Sequence, residues 1–184
     1  MARPEGYGAS HMASGVFIVT AFESFTTHRA LSGREWLLGA GETPPLAAHL
    51  VTVRGGYMHH GIHTGDGKVV HYAGLSRNWA SAPVEETTIA GFAQNRPIWV
   101  RPHGNPRFDL HEIVERARSR LGESRYHLLS NNCEHLCEWC VQGQGRSRQV
   151  EALRRLPRRV FRAALRTVMV LHQAWQTWPD KWAV

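Results

Sequence analysis

The stretch YMHHGIHTGDGKVVHYAGL, residues 57–75, restricts the fold more than any other part of the chain. Its runs YMHHGIHT and KVVHYA have strand length, and the Gly-Asp-Gly between them is a strong tight-turn signal. An antiparallel hairpin follows. HLVTV from His49, VEETTIA and IWVR add further strand-length runs without regular alternation with helices. The sheet should therefore be mostly antiparallel and the fold class α+β, with the sheet packed against helices.

The hairpin carries four histidines. Side chains alternate along a strand, so His59, Gly61 and His63 share one face while His60, Ile62 and Thr64 share the other. Beyond the turn, Val69, His71 and Ala73 share a face of the partner strand. Pairing of His59 or His63 with His71 is then geometrically reasonable, one ring acting as base and the other orienting it. Spacing alone leaves the register open, and His60 is expected to be structural.

Two helices have clear punctuation. DLHEIVERARSRLG places Asp109 and Glu112 in a capping-box pattern, puts Leu110, Ile113, Val114, Ala117 and Leu121 on one stripe, and stops at Gly122. NNCEHLCEWCVQ should begin at a cap on Asn131 or Asn132 and end at the glycines of QGQG. A third helix is expected from about Gln149 towards Trp175, broken at Pro157. Residues 15–48 are ambiguous, with a β-like VFIVT and a turn-rich GAGETPPLAA.

All three cysteines, Cys133, Cys137 and Cys140, lie within NCEHLCEWCV. An odd number in one segment is no disulfide framework, and a reducing compartment is the simpler assumption. Cys133 falls in the first turn of its helix, where free amides and the positive end of the dipole favour a thiolate. A lone cysteine at a helix start is more often a small buried residue, and Cys137 and Cys140 follow core spacing with Leu136. What raises Cys133 above that background is the nearby supply of imidazoles, since a thiol nucleophile needs a proton carrier. Zinc is the rival use of these side chains. C-x3-C-x2-C matches no usual knuckle and no second C-x-x-C completes a site, so no metal and no cofactor are expected.

HHGIHTGDGKVVH followed some sixty residues later by NNCEH resembles the lecithin retinol acyltransferase family, in particular its bacterial members, over about residues 46–150. The resemblance implies a circularly permuted papain-like arrangement in which the histidine strand precedes the cysteine helix. It implies that Cys133 is the nucleophile, His59 the base and His71 the histidine that orients it. Arg54 and Tyr57 fall where related acyltransferases carry an arginine and a tyrosine, and GRSRQV, residues 145–150, is similar to the segment closing the cysteine helix. Leu136 stands where the family has an aromatic, and His63 where it has a tyrosine, which makes His63 a second candidate beside His59. The implied chemistry is acyl transfer from a glycerophospholipid or related acyl ester through a thioester on Cys133, with a helix-start amide on the oxyanion. A cysteine peptidase or amidase of the same superfamily, and a membrane-binding module without activity, are the competing readings.

Charge then divides the chain. Residues 144–184 hold eight Arg and one Lys against Glu151 and Asp180, a local +7 that equals the net charge of the whole chain. Arg155, Arg159, Arg162 and Arg166 recur at helical spacing, and Trp175, Trp178 and Trp182 follow. Residues 151–184 therefore read as a basic amphipathic helical tail that lies on an anionic membrane surface, with Arg159, Arg162, Arg166, Trp175 and Trp178 facing lipid. A helix packed on the domain with a solvated arginine face is the plainer alternative, and nucleic acid is not an expected partner. Residues 1–14 read as a leader containing a vector-like SHMAS, and residues 15–150 as the catalytic domain. No window reaches the roughly 18–20 apolar residues of a membrane span. A cytoplasmic protein with peripheral membrane contact is the expected localisation.

Overall fold

The computed structural model describes residues 35–55, 57–73 and 83–177, with backbone alone from 171 onward. VFIVT, Trp178 and Trp182 lie outside the described residues. The strands are β1 (Trp36–Leu37), β2 (His49–Arg54), β3 (Tyr57–Gly65), β4 (Lys68–Tyr72), β5 (Val84–Thr88) and β6 (Ile98–Arg101). They form one antiparallel sheet in the order β1-β6-β2-β3-β4-β5. The helices are α1 (Ile89–Ala93), α2 (Leu110–Ser119), α3 (Cys133–Gln142), α4 (Arg148–Arg154) and α5 (Arg158–Thr177).

Turn chemistry sets the hairpin. Gly65, Asp66 and Gly67 all have positive φ, 93°, 49° and 65°, a path that glycine and aspartate tolerate better than branched residues. The β3–β4 ladder pairs His63 with Val69 and Ile62 with Val70. Alternation then sends neighbouring residues into two cores. Val69 joins Leu50, Phe92, Ile98 and Val100 under α1, whereas Val70 joins Ile62, Tyr72, Ile113, Ala117, Leu136, Cys137 and Cys140 under α2 and α3. Arg116 pins α2 to α3, its guanidinium 4.0 Å from both the Phe108 and Trp139 ring centres and donating to Trp139 O at 3.0 Å.

Four local expectations change. VEETTIA is a strand only to Thr88, whose hydroxyl accepts from Gly91 N and turns the chain into α1. Asp109 caps α2 by accepting from Glu112 N. That helix nevertheless ends at Ser119, so Leu121 lies past its last turn at 44% exposure, and Leu110 at its first position is 52% exposed; the buried stripe is Ile113, Val114 and Ala117. A complete capping box occurs instead at α3. Finally, β1 carries no local signal in the sequence, because its two residues are exposed and defined only by pairing with β6. The break between α4 and α5 falls at Leu156 and Pro157, as the missing proline N–H dictates.

Candidate active site

Asn132 sets the start of α3. Its Oδ1 accepts from Glu134 N at 3.0 Å and His135 N at 3.1 Å, while His135 Nδ1 accepts from Asn132 N at 3.3 Å. Such a cap is worth about 1 kcal/mol. Asn131 stabilises the approach to the helix by donating to Tyr72 Oη at 2.8 Å. Cys133 is thereby the first helical residue, and it packs against β3 from the α3 side of the sheet.

The sulfur sits where the sheet opens. Registered pairing of β3 with β4 reaches no further than Ile62 and Val70, so the β3 edge at Met58 and His60 faces α3 and α4 instead of a strand. Cys133 Sγ lies 4.0 Å from Met58 O, and the His60 amide is directed at the sulfur. His59 is the residue between them. Its ring leaves on the α1 side, where it stacks on Phe92 with centroids 5.3 Å apart, and its Nε2 lies 3.0 Å from His71 Nδ1. His59 Nδ1 is buried without a hydrogen-bond partner. Gly61 makes this packing feasible, since a Cβ there would stand 2.6 Å from Val69 Cγ1 and 2.9 Å from Phe92 Cε2.

His71 Nδ1 also lies 2.5 Å from Tyr72 O, and its Nε2 is 3.5 Å from Glu85 Oε1, long for a hydrogen bond. The 2.5 Å contact puts the His71 proton on Nδ1, where Tyr72 O accepts it and His59 Nε2 presents a lone pair to the same N–H. The other tautomer, with the proton on Nε2 towards Glu85, lets His71 Nδ1 accept from His59 Nε2–H and moves the His59 lone pair to Nδ1, at the expense of the bond to Tyr72 O.

Burial governs the charges. Cys133, His59 and His71 are 3%, 2% and 4% exposed. Burial pushes the Cys133 thiol up to about 12, outweighing the backbone amides that point at it. That shift corresponds to roughly 4 kcal/mol against ionisation, more than the roughly 0.3–1 kcal/mol a helix N-terminus supplies. The thiolate expected from position alone is therefore not the resting form; a neutral thiol is. Burial, with His71 and Arg54 next in weight, holds His59 well below the ordinary histidine range, and burial takes His71 down to about 4.

The other expected residues fall around this pair. Arg54 is buried and donates to Phe92 O at 2.6 Å, so it braces the ring on which His59 stacks. The Tyr57 ring meets His59 edge-on, with centroids 6.2 Å apart. His63 shares the His59 face but donates Nδ1–H to Pro45 O at 2.9 Å. Arg159, Arg162 and Arg166 are exposed on α5, and of Trp175 only the backbone is described.

Spacing did not reveal the buried network on the α3 side. Arg101 donates to Glu134 Oε1 at 2.7 Å and to Glu35 Oε1 at 2.9 Å, and Glu134 Oε2 accepts from Ser147 Oγ at 2.6 Å and Gln149 N at 3.1 Å. Burial opposes the charge on Glu134, but His60, Arg101 and Ser147 together hold it down to about 2. His49, His103 and Glu138 form the group among the described residues whose composition suits a metal ion, with ligand atoms within 4.8 Å of one another. A run of charged and polar residues reaching one buried point from β6, α3 and α4 leaves no local signature, because it is defined only by the fold.

A family model described as lecithin retinol acyltransferase matches residues 42–146, more than half of the chain. No curated protein sequence matches it.

Proposed function

The chain belongs to the lecithin retinol acyltransferase family, and from that premise we propose a thiol-dependent acyltransferase or phospholipase A acting on glycerophospholipid acyl esters through an acyl-thioester on Cys133. One observation carries the reading. His59 keeps a buried, unpartnered Nδ1 on the strand residue whose flanking Met58 O and His60 N–H face the Cys133 sulfur. An uncompensated imidazole nitrogen costs stability, and a proton-transfer role accounts for it.

The base-competent pattern needs the His71 proton to pass from Nδ1, where Tyr72 O accepts it, to Nε2; His71 Nδ1 then holds His59 Nε2–H and the His59 Nδ1 lone pair takes the thiol proton as sulfur attacks the ester carbonyl. A neutral resting thiol makes this general-base attack rather than reaction of a standing ion pair. Asn132 Oδ1 already occupies the Glu134 and His135 amides, so the oxyanion donors are Cys133 N–H and His60 N–H. Collapse breaks the ester C–O bond, and His59 Nδ1–H protonates the departing lysolipid alkoxide. Water, an alcohol or an amine then attacks the thioester with His59 again as base, and sulfur leaves as the thiol. Because the three side chains are almost completely buried, the gap between β3 and α3 must widen to admit an acyl chain.

Mass spectrometry of the protein incubated with a mixed lipid extract tests the reading: an acyl-sized mass increase on Cys133 is expected, and it is absent from Cys133→Ala. No adduct, with peptides cleaved instead, would favour a peptidase of the same chemistry.

Peripheral membrane contact through α5 belongs to the same proposal. Arg159, Arg162 and Arg166 are exposed together with Val160, Met169 and Val170, while Val168 turns inward. No helix among the described residues is long and apolar enough to cross a membrane. Cosedimentation with anionic liposomes should be strong for the full chain and weak for a version ending at Val150; equal binding by both would remove the tail from the account.

A further inference from the structure

On the open edge of β3, the groups of Met58 that a strand would pair are held by one side chain. Gln149 Oε1 accepts from Met58 N at 2.9 Å and Gln149 Nε2 donates to Met58 O at 3.1 Å. A carboxamide paired with the N–H and C=O of one residue has a single allowed orientation, so its Nε2 is the atom facing His60 Nε2 at 3.0 Å. There it must donate. His60 consequently carries its proton on Nδ1, which donates to His49 Nε2 at 2.9 Å. His49 in turn carries its proton on Nδ1, which donates to His103 Nε2 at 2.9 Å. The amide thus fixes the direction of a chain of three imidazoles running from the catalytic strand to half-buried His103. Because His49 Nδ1 holds a proton aimed at His103, its lone pair is not available to a metal shared with Glu138.

We propose that Gln149 is a positioning residue for Cys133 and His59, locked in place by the His60–His49–His103 chain; this rests on the reading of those two residues as nucleophile and base. Met58 O is both the acceptor of the Gln149 amide and the oxygen that lies 4.0 Å from the Cys133 sulfur, and His59 is the next residue. Gln149 also reaches α3, its backbone N donating to Glu134 Oε2 at 3.1 Å. One residue therefore joins the strand of the base, through its side chain, to the helix of the nucleophile, through its backbone N–H. It satisfies the β3 edge without a strand, which keeps open the gap the sulfur occupies. Without the amide, Met58 N–H is unpaired in a buried place and Met58 O keeps only the 4.0 Å contact with the Cys133 sulfur, so β3 can relax towards β4.

Two measurements on the full chain test this. Imidazole 15N resonances of the wild-type protein should show His60 and His49 in the Nδ1–H form; a proton on His60 Nε2 would overturn the proposal with no variant needed. Iodoacetamide labelling, followed cysteine by cysteine by mass spectrometry, should then be faster at Cys133 than at Cys137 or Cys140. Gln149→Met, which keeps the volume and removes the amide, should slow Cys133 labelling at least about tenfold, leave Cys137 and Cys140 unchanged and release His60 from its single tautomer. Gln149→Asn, one methylene shorter, is the second arm and should slow labelling in the same sense. Wild-type rates in both variants would overturn the positioning role alone. Equal labelling of all three cysteines in the wild type would instead overturn the Cys133 reading, and the positioning role with it.

Discussion

His59 and His60 are adjacent on one strand and meet opposite fates. His60 uses both ring nitrogens, one to His49 and one to Gln149, inside a network that ends on the ionised pair of Arg101 and Glu134. His59 uses one, to His71, and its other nitrogen is buried and unpaired. Burial lowers the pKa of both, His60 to about 3. The difference is satisfaction. A histidine whose hydrogen bonds are complete contributes to the structure, and one with a buried deficit is a candidate for proton transfer where it lies beside a group it can serve.

The sharpest way to break that comparison is to replace each ring by phenylalanine. His59→Phe should lower turnover by about 10²–10⁴ with a melting temperature equal to or above the wild type, since it removes an unpaired polar atom. His60→Phe should do the reverse first, leaving His49 Nε2 buried without its partner at roughly 1–3 kcal/mol and Gln149 Nε2 with Met58 O and the long contact to Glu134 Oε2 alone. Matching stability losses in calorimetry would erase the distinction. Arg101→Met probes the anchor of the His60 side. Removing one partner of a buried ion pair leaves Glu134 charged and unpaired, and a loss of about 3–5 kcal/mol in urea unfolding is expected.

Acid should act on both faces together. His49, His59, His60, His71 and His103 all have folded pKa values below the ordinary one, chiefly through burial, with His71 and His103 at about 4. The unfolded chain therefore binds protons that the folded chain excludes. Stability is fully present above the unfolded pKa of about 6.5 and declines as pH falls towards the folded values, at up to about 1.4 kcal/mol per pH unit for each fully buried histidine. The urea midpoint should be flat above about pH 7.5, begin to fall as pH passes through about 6.5 and be much lower by about pH 4. A flat profile down to pH 4 would contradict the neutral, buried imidazoles described on either face.

Legibility in the sequence follows the same division. Gly-Asp-Gly, the Asn132 cap and the Gly143 stop are local codes, and they place β3, β4 and α3 closely enough to put His59 and His63 on the face of His71, while the choice of His59 rests on the family resemblance. Thr88 hides its cap inside a strand-like run, so α1 and its Phe92, on which His59 stacks, are not visible beforehand. Gln149 meets Met58 across 91 positions, and Arg101 meets Glu134 across 33. No periodicity encodes such pairs. The thiol shows the limit from another side: helix position is readable and favours ionisation, but burial, a property of the whole fold, decides the sign.

The smallest effect is expected at His63, which tests whether sharing a face with His59 is enough to share its role. Opposite Val69 and four residues from His59, it could reach the dyad only by giving up Pro45 O, which accepts its Nδ1–H. That bond ties the turn-rich segment before β2 to the hairpin. His63 Nε2 is also buried and unpaired, so a deficit alone does not make a base; it must lie beside the residue it serves. Met58 O and the His60 amide, the groups flanking the Cys133 sulfur, bracket His59 and not His63. His63→Ala should therefore retain part of the turnover and lose about 1 kcal/mol of stability for the missing hydrogen bond, whereas His59→Ala should lose turnover altogether. Abolished turnover in His63→Ala, together with full activity in His59→Ala, would move the base four residues along β3, past Gly61, and require the pair His63–His71 in place of His59–His71.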